Sequence, residues 1–240
     1  MLQQSTQEES RDIGLAGRMI RVFYAPGETF EAVGQRTTWL DWFVPTISIV
    51  LVTLVTVQLT MPLILQAQSE MVQEQLKNLP ENQRQQMLTQ MQGVTRISTV
   101  VVTPIAVFAG LFIAGGVLLL IARYVLDGKV RYGQMLTVWG YSSLVSIIGL
   151  LVRTPLMLAK DTVVVHTGLG VFLSDEMVKT FLGRILAGID LFSFWQFCLI
   201  GIGLAVLTGA STRRALVPVL LLWVLWIIVQ ASLGGLGRGG

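Results

Sequence analysis

Charge is scarce in this 240-residue chain: Asp, Glu, Lys and Arg make up 13% of it, against the ~25% usual in soluble domains. A water-facing shell around an ordinary core is excluded on that ground. Cysteine and histidine occur once each, as Cys198 and His166, so neither an intrachain disulfide nor a Cys/His metal cluster can be assembled. The phosphate-cradling GxxxxGK[ST] and the zinc motif HExxH are both absent. So is a serine-histidine arrangement with an orienting acid, and His166 beside Thr167 reads as a loop residue. No enzyme activity, cofactor or metal is expected. The first residues, Met1 to Arg11, are polar and acidic with no apolar stretch to serve as a removable signal peptide. The first membrane span is therefore expected to act as the anchor.

Apolar sequence is what remains. Hydrophobic residues make up 53% and the mean hydropathy is +0.69. They cluster into five runs near the ~20 residues a bilayer needs: Phe43 to Leu65, Thr99 to Ile121, Met135 to Val152, Leu191 to Leu207 and Ala215 to Ser232. This predicts an all-α polytopic membrane protein with five transmembrane helices. Pro45, Pro62, Pro104 and Pro218 fall in or at the ends of these runs, which neighbouring membrane helices accommodate. Three segments follow from the same reading: a cytoplasmic N-terminal segment (1–42), a five-span membrane domain (43–233) and a glycine-rich tail (234–240) expected to be disordered. No internal repeat and no inverted pair of broken spans stands out.

The net charge of +3 and pI near 9.3 are modest. They suit cytoplasmic Lys and Arg facing anionic lipid, and they do not imply nucleic acid. With the N-terminus inside, nine of the 17 basic residues lie on the inner side, so the count is nearly balanced. Density decides the orientation: the segments Arg123 to Arg131 and Thr212 to Arg214 are short and basic, whereas the outer loops are longer and mixed with acids. The N-terminus is expected in the cytoplasm and the C-terminus outside.

Amphipathic helices are expected before the first span and in both outer loops. Ahead of the first span, Asp12 caps a helix with Arg18 and Arg21 on one side and Ile13, Ala16, Met19, Ile20 and Phe23 on the other. Arg11 precedes it. These three arginines are the candidate inner-surface lipid contact, on a helix that either lies in the interface or packs beneath the bundle. The first outer loop, Gln68 to Thr95, reads as two short helices broken at Leu79-Pro80. In the second, the β-branched run Thr162 to His166 suggests a strand or extended link. Ser174 then caps a helix with Met177, Val178, Phe181, Leu182, Ile185 and Leu186 on one face.

Within the spans, spacing singles out two sets. Ala106, Gly110 and Ala114, with Gly201 and Ala205, have the small-xxx-small spacing of close helix contacts, within one chain or between two copies. On the third span, Ser142, Ser146, Gly149 and Arg153 align on one helical face that should avoid lipid. It is either a polar seam for a substrate or partner, or a hydrogen-bonding seam between helices. Asp190 heads the fourth span, within reach of Arg153. Trp139, Trp195, Trp223 and Trp226 suit structural roles at span ends.

Three stretches then carry a resemblance. Pro26-Gly27-Glu28-Thr29-Phe30 follows the basic lead, and Tyr132-Gly133-Gln134 runs into Trp139-Gly140-Tyr141-Ser142. Asp190-Leu191-Phe192 with Trp195 continues to Gly203 and Thr212-Arg213-Arg214-Ala215. In order and spacing the chain resembles the Yip-one domain proteins, the five-span Ypt/Rab-interacting membrane family, over roughly Arg18 to Leu233, as a prokaryotic member would. The resemblance implies an all-α bundle with a cytoplasmic N-terminus and a family that works by binding proteins. Eukaryotic members are associated with vesicle traffic and bind Rab-type GTPases. This chain lacks their long cytoplasmic N-terminal region and DLYGP-type segment, so GTPase binding is not carried over. The expected role is a non-enzymatic adaptor or accessory subunit in the cytoplasmic membrane of a prokaryote, engaging another membrane protein such as a transporter. The alternatives are a small transporter or channel using the polar seam, and a lipid-binding or membrane-shaping protein.

Overall fold

The computed structural model describes residues 14–76 and 80–236. Two short helices, α1 (Leu15–Arg21) and α2 (Pro26–Gln35), precede the long α3 (Leu40–Leu76) and α4 (Glu81–Leu120), which ends in a π-helical turn, Ile121–Val125. There follow α5 (Tyr132–Ser143), α6 (Val145–Ala159), the short α7 (Asp175–Lys179) and α8 (Phe181–Gly188), then α9 (Leu191–Thr208) and α10 (Thr212–Leu236). No strand occurs among the described residues; the run Thr162 to His166 forms none, and one isolated bridge joins Gly168 to Asp190. Five helical segments are long and apolar enough to cross a membrane: Leu40–Ser69, Glu81–Val125, Tyr132–Ala159, Leu191–Thr208 and Thr212–Leu233. They coincide with the five apolar runs, and this is a multi-pass membrane protein. Five crossings put α1, α2, the 126–131 loop and the 209–211 turn at one face, here the N-terminal face. Pro80, α7 and α8 lie at the other, the far face.

The third span is the axle. Of its most apolar stretch 61% is buried, against 22–39% for the other four, and α3, α4 and α9 all pack against it. It is also interrupted: Leu144, at φ −58° and ψ −23°, takes a 3₁₀-like step between α5 and α6. There the Leu144 amide donates to the Tyr141 carbonyl, and the Ser146 hydroxyl donates to the Ser143 carbonyl. Side-chain bonding to a backbone carbonyl of this kind bends membrane helices without proline.

Three expectations are corrected. The first outer loop is helical on both sides of Pro80, as expected, but these are not separate helices: they are the ends of α3 and α4, which run on past their apolar stretches. Glutamine is a good helix former, so polarity there ends the span without ending the helix. Second, α1 is rotated from its expected face: Val22 at its end is fully buried and Met19 and Phe23 pack on the core, while Ala16 and Ile20 face outward. The proposed cap Asp12 and the preceding Arg11 lie outside the described residues. Third, the helix capped by Ser174 splits. Thr180 adopts extended backbone, ψ 157°, and its hydroxyl accepts from the Gly183 amide, starting α8 afresh. Met177, Phe181 and Leu182 are consequently exposed, while Ile185 packs on the core. In the tail, α10 continues through Leu236; residues 237–240 lie outside the described residues.

Candidate functional site

Two polar clusters and a cavity lie along the third span. Nearest the N-terminal face, Asp41 starts α3 and is 1% exposed. Its carboxylate accepts from the Arg18 guanidinium at 2.6 Å, the Tyr141 hydroxyl at 3.1 Å, and the Thr38 amide and hydroxyl, both at 2.8 Å. The carboxylate thus caps its own helix while fastening α1 to α5. At Gly140, α3 and α5 come close: a Cβ there would lie 3.4 Å from the Trp42 carbonyl oxygen, in van der Waals contact. Alongside, Phe30 of α2 is fully buried between Val138 and Gly203. Phe23 meets Trp195 edge to face at 5.9 Å. The two N-terminal helices are therefore packed into the bundle. Arg18 points inward to Asp41, and Arg21 reaches Glu28 at 3.3 Å on the surface.

Ser142, Ser146, Gly149 and Arg153 are divided by the step at Leu144, the first belonging to α5 and the rest to α6. Ser142 is fully buried, and its hydroxyl has no hydrogen-bond partner among the described residues. Ser146 lines a cavity of about 270 Å³ together with Thr46, Ser143 and Gln196, and the Gln196 amide donates to the Ser143 hydroxyl at 2.9 Å. Gly149 lies against Phe192, whose ring carries the Arg153 guanidinium 5.8 Å from its centroid. Ala106 and Gly110 line the same cavity, and Gly110 with Ala114 lines a larger groove. Nothing lies within 4 Å of where a Cβ on Gly110 would sit. Gly201, by contrast, is pressed by Leu216 of α10, and Ala205 is buried.

Near the far face, Arg153 pairs with Asp190 at 2.6 Å and donates to the Thr167 hydroxyl at 2.9 Å. That hydroxyl donates in turn to Asp190 at 2.5 Å, and the Ser193 amide and hydroxyl donate to the carboxylate at 3.0 and 3.1 Å. Burial works to raise the carboxyl pKa, but the bonds from Thr167, Ser193 and Arg153 outweigh it and hold the group below the ordinary aspartate value. A depressed folded-state pKa stabilises the fold above the unfolded value and is lost as pH falls through the folded one. The melting temperature should therefore decline as pH drops below about 4. Asp190→Asn should flatten that decline in a pH series of thermal melts, and an unchanged slope would contradict the assignment.

The Asp41 cluster escapes sequence reasoning because Arg18 lies on a helix that flanks no span. Its one signal is an acid set against the start of an apolar run. The sequence matches the Yip1 domain over residues 20–233, which takes in α2 and all five spans. The chain belongs to the Yip1 domain family. No curated protein and no solved structure matches it. The Yip1 family is one of non-catalytic membrane proteins, and among the described residues no three His, Cys, Asp or Glu side chains come together to hold a metal. In this Yip1 domain the family-like stretches meet in space: Phe30 sits on Gly203, and Tyr141 binds the same carboxylate that Arg18 holds.

Proposed function

We propose that this Yip1-domain protein is a non-enzymatic adaptor or accessory subunit of a prokaryotic cytoplasmic membrane, binding another membrane protein such as a transporter. Its N-terminal face, with Arg123, Lys129, Arg131, Arg213 and Arg214, is read as cytoplasmic. The observation that carries the proposal is the α3–α4 hairpin. Both helices continue past their apolar stretches, held together by the Thr95 hydroxyl on Gln68 at 3.0 Å and by Leu65, Val72, Leu88 and Met91 on the inner side. Met87, 43% exposed, and Val94, 66% exposed, face outward among glutamines. A mixed polar and apolar projection suits binding, not chemistry.

The transporter reading has a weaker footing, since no ionisable side chain lines the 270 Å³ cavity. Replacing residues 70–92 by a short Gly-Ser turn should abolish co-purification of the partner in mild detergent while leaving the melting temperature of the bundle unchanged. A wild-type protein that elutes alone, or a hairpin deletion that keeps its partner, would refute the adaptor role.

A further inference from the structure

We infer that the groove between the second and fifth spans is a binding site for one anionic phospholipid, whose acyl chain lies in the groove and whose phosphate is held by Arg184. The site is independent of the adaptor reading and shares with the two polar clusters only Ser193, which lines it.

The groove encloses about 800 Å³, within the roughly 300–1,000 Å³ of small-molecule sites. Ala114 and Val117 of α4 form one wall and Trp226 and Ile227 of α10 the other. Its floor is an aromatic row: Trp139, Phe197 and Trp223 have successive centroids 6.3 Å apart. Trp226 is 55% exposed and Ile113, on the α4 side, 69%. Both spans face lipid here, so the groove communicates with the bilayer.

At its far-face end lies α8. Gly188 lets this helix close on α10, where a Cβ would stand 3.0 Å from Ile227. One turn earlier on the same side of α8, Arg184 also lines the groove. Its Nε is buried, and it has no hydrogen-bond partner among the described residues. Other arginines beside the bundle interior have an acid or a carbonyl: Arg18 has Asp41, Arg153 has Asp190, and Arg123 has the Val130 carbonyl. A buried cationic donor left without an acceptor is costly. An anion there removes the cost, and guanidinium pairs well with phosphate oxygens. Gln230 of α10 adds an amide to the same lining.

The occupant must therefore be apolar along most of its length and anionic at one end, and it must arrive through the membrane. A phospholipid of the leaflet at the far face meets all three conditions. Free phosphate would satisfy Arg184 but leave the aromatic floor and apolar walls unfilled.

Native mass spectrometry of the delipidated protein, titrated with phosphatidylglycerol or phosphatidylcholine, tests the assignment. One phosphatidylglycerol should bind at least about tenfold more tightly than phosphatidylcholine. Arg184→Gln should abolish that preference, and Ala114→Phe, which fills the groove and keeps Arg184, should lower binding of both lipids. Thermal melts of each variant establish that the bundle is intact; should Arg184→Gln fail to fold, the Ala114→Phe titration and the wild-type lipid preference decide the question. Equal binding of the two lipids by the wild type, preference retained in Arg184→Gln, or undiminished binding in Ala114→Phe would overturn the site. Binding of glycerol phosphate as tight as that of phosphatidylglycerol would overturn it as well.

Discussion

Arg18→Ala is expected to destabilise the protein by about 3–5 kcal/mol, the range for removing one partner of a buried ion pair. For a chain of this length that is a fall of about 6–20 °C in melting temperature. The argument rests on Asp41, which is 1% exposed. Its carboxylate is left with only the neutral donors Thr38 and Tyr141 once the guanidinium is gone. Removing both charges should cost far less, because a buried pair replaced by apolar groups is often neutral. An Arg18→Met, Asp41→Leu double variant should therefore recover most of the loss. Thermal melts in detergent measure the difference, and a double variant as unstable as Arg18→Ala would show that the charge is not the cause. Labelling reports on the same event: in a Cys198→Ser background, Val22→Cys should be protected in the wild-type sequence context and reactive when Arg18 is replaced.

Phe30→Ala should have an effect of similar size, about 3–5 kcal/mol, through packing. The ring is fully buried against Val138 and Gly203, and nothing nearby is free to fill the space, since Gly203 has no side chain. The same melts check this, and a loss below about 1 kcal/mol, the level of a conservative core swap, would mean that the α2–α9 contact is loose. Arg18 and Phe30 both fasten the N-terminal pair of helices. If each substitution simply releases that pair, combining them should cost little more than the larger alone, whereas independent effects would add.

The spans themselves were plain in the sequence, because apolar length is a one-dimensional property and needs no knowledge of partners. Helix ends were not. Glutamine-rich continuations of α3 and α4 look like loops on a hydropathy scale yet sustain helix. The step at Leu144 has neither glycine nor proline to announce it. Pairing between elements was legible only where both members flank spans at one face. Arg153 and Asp190 meet that condition, and Arg18 with Asp41 does not. The orientation of α1 followed from amphipathic spacing only in part, since the ion pair turned Arg18 toward the bundle and Ile20 away from it. Arg184 gave no signal at all, because its distinction is a buried Nε without a partner among the described residues.

The burial of the third span bears on how the protein is made. Its mean hydropathy, 1.8, is the lowest of the five, and the two spans synthesised before it have values of 2.2 and 2.7. A segment that keeps Gln134, Thr137, Ser142, Ser143 and Thr154 among its buried residues partitions less readily into bare lipid than its predecessors, because polar side chains cost free energy there. The first two spans can wait in the bilayer alone. The third gains most by entering against them, and chain order supplies the walls before the axle arrives.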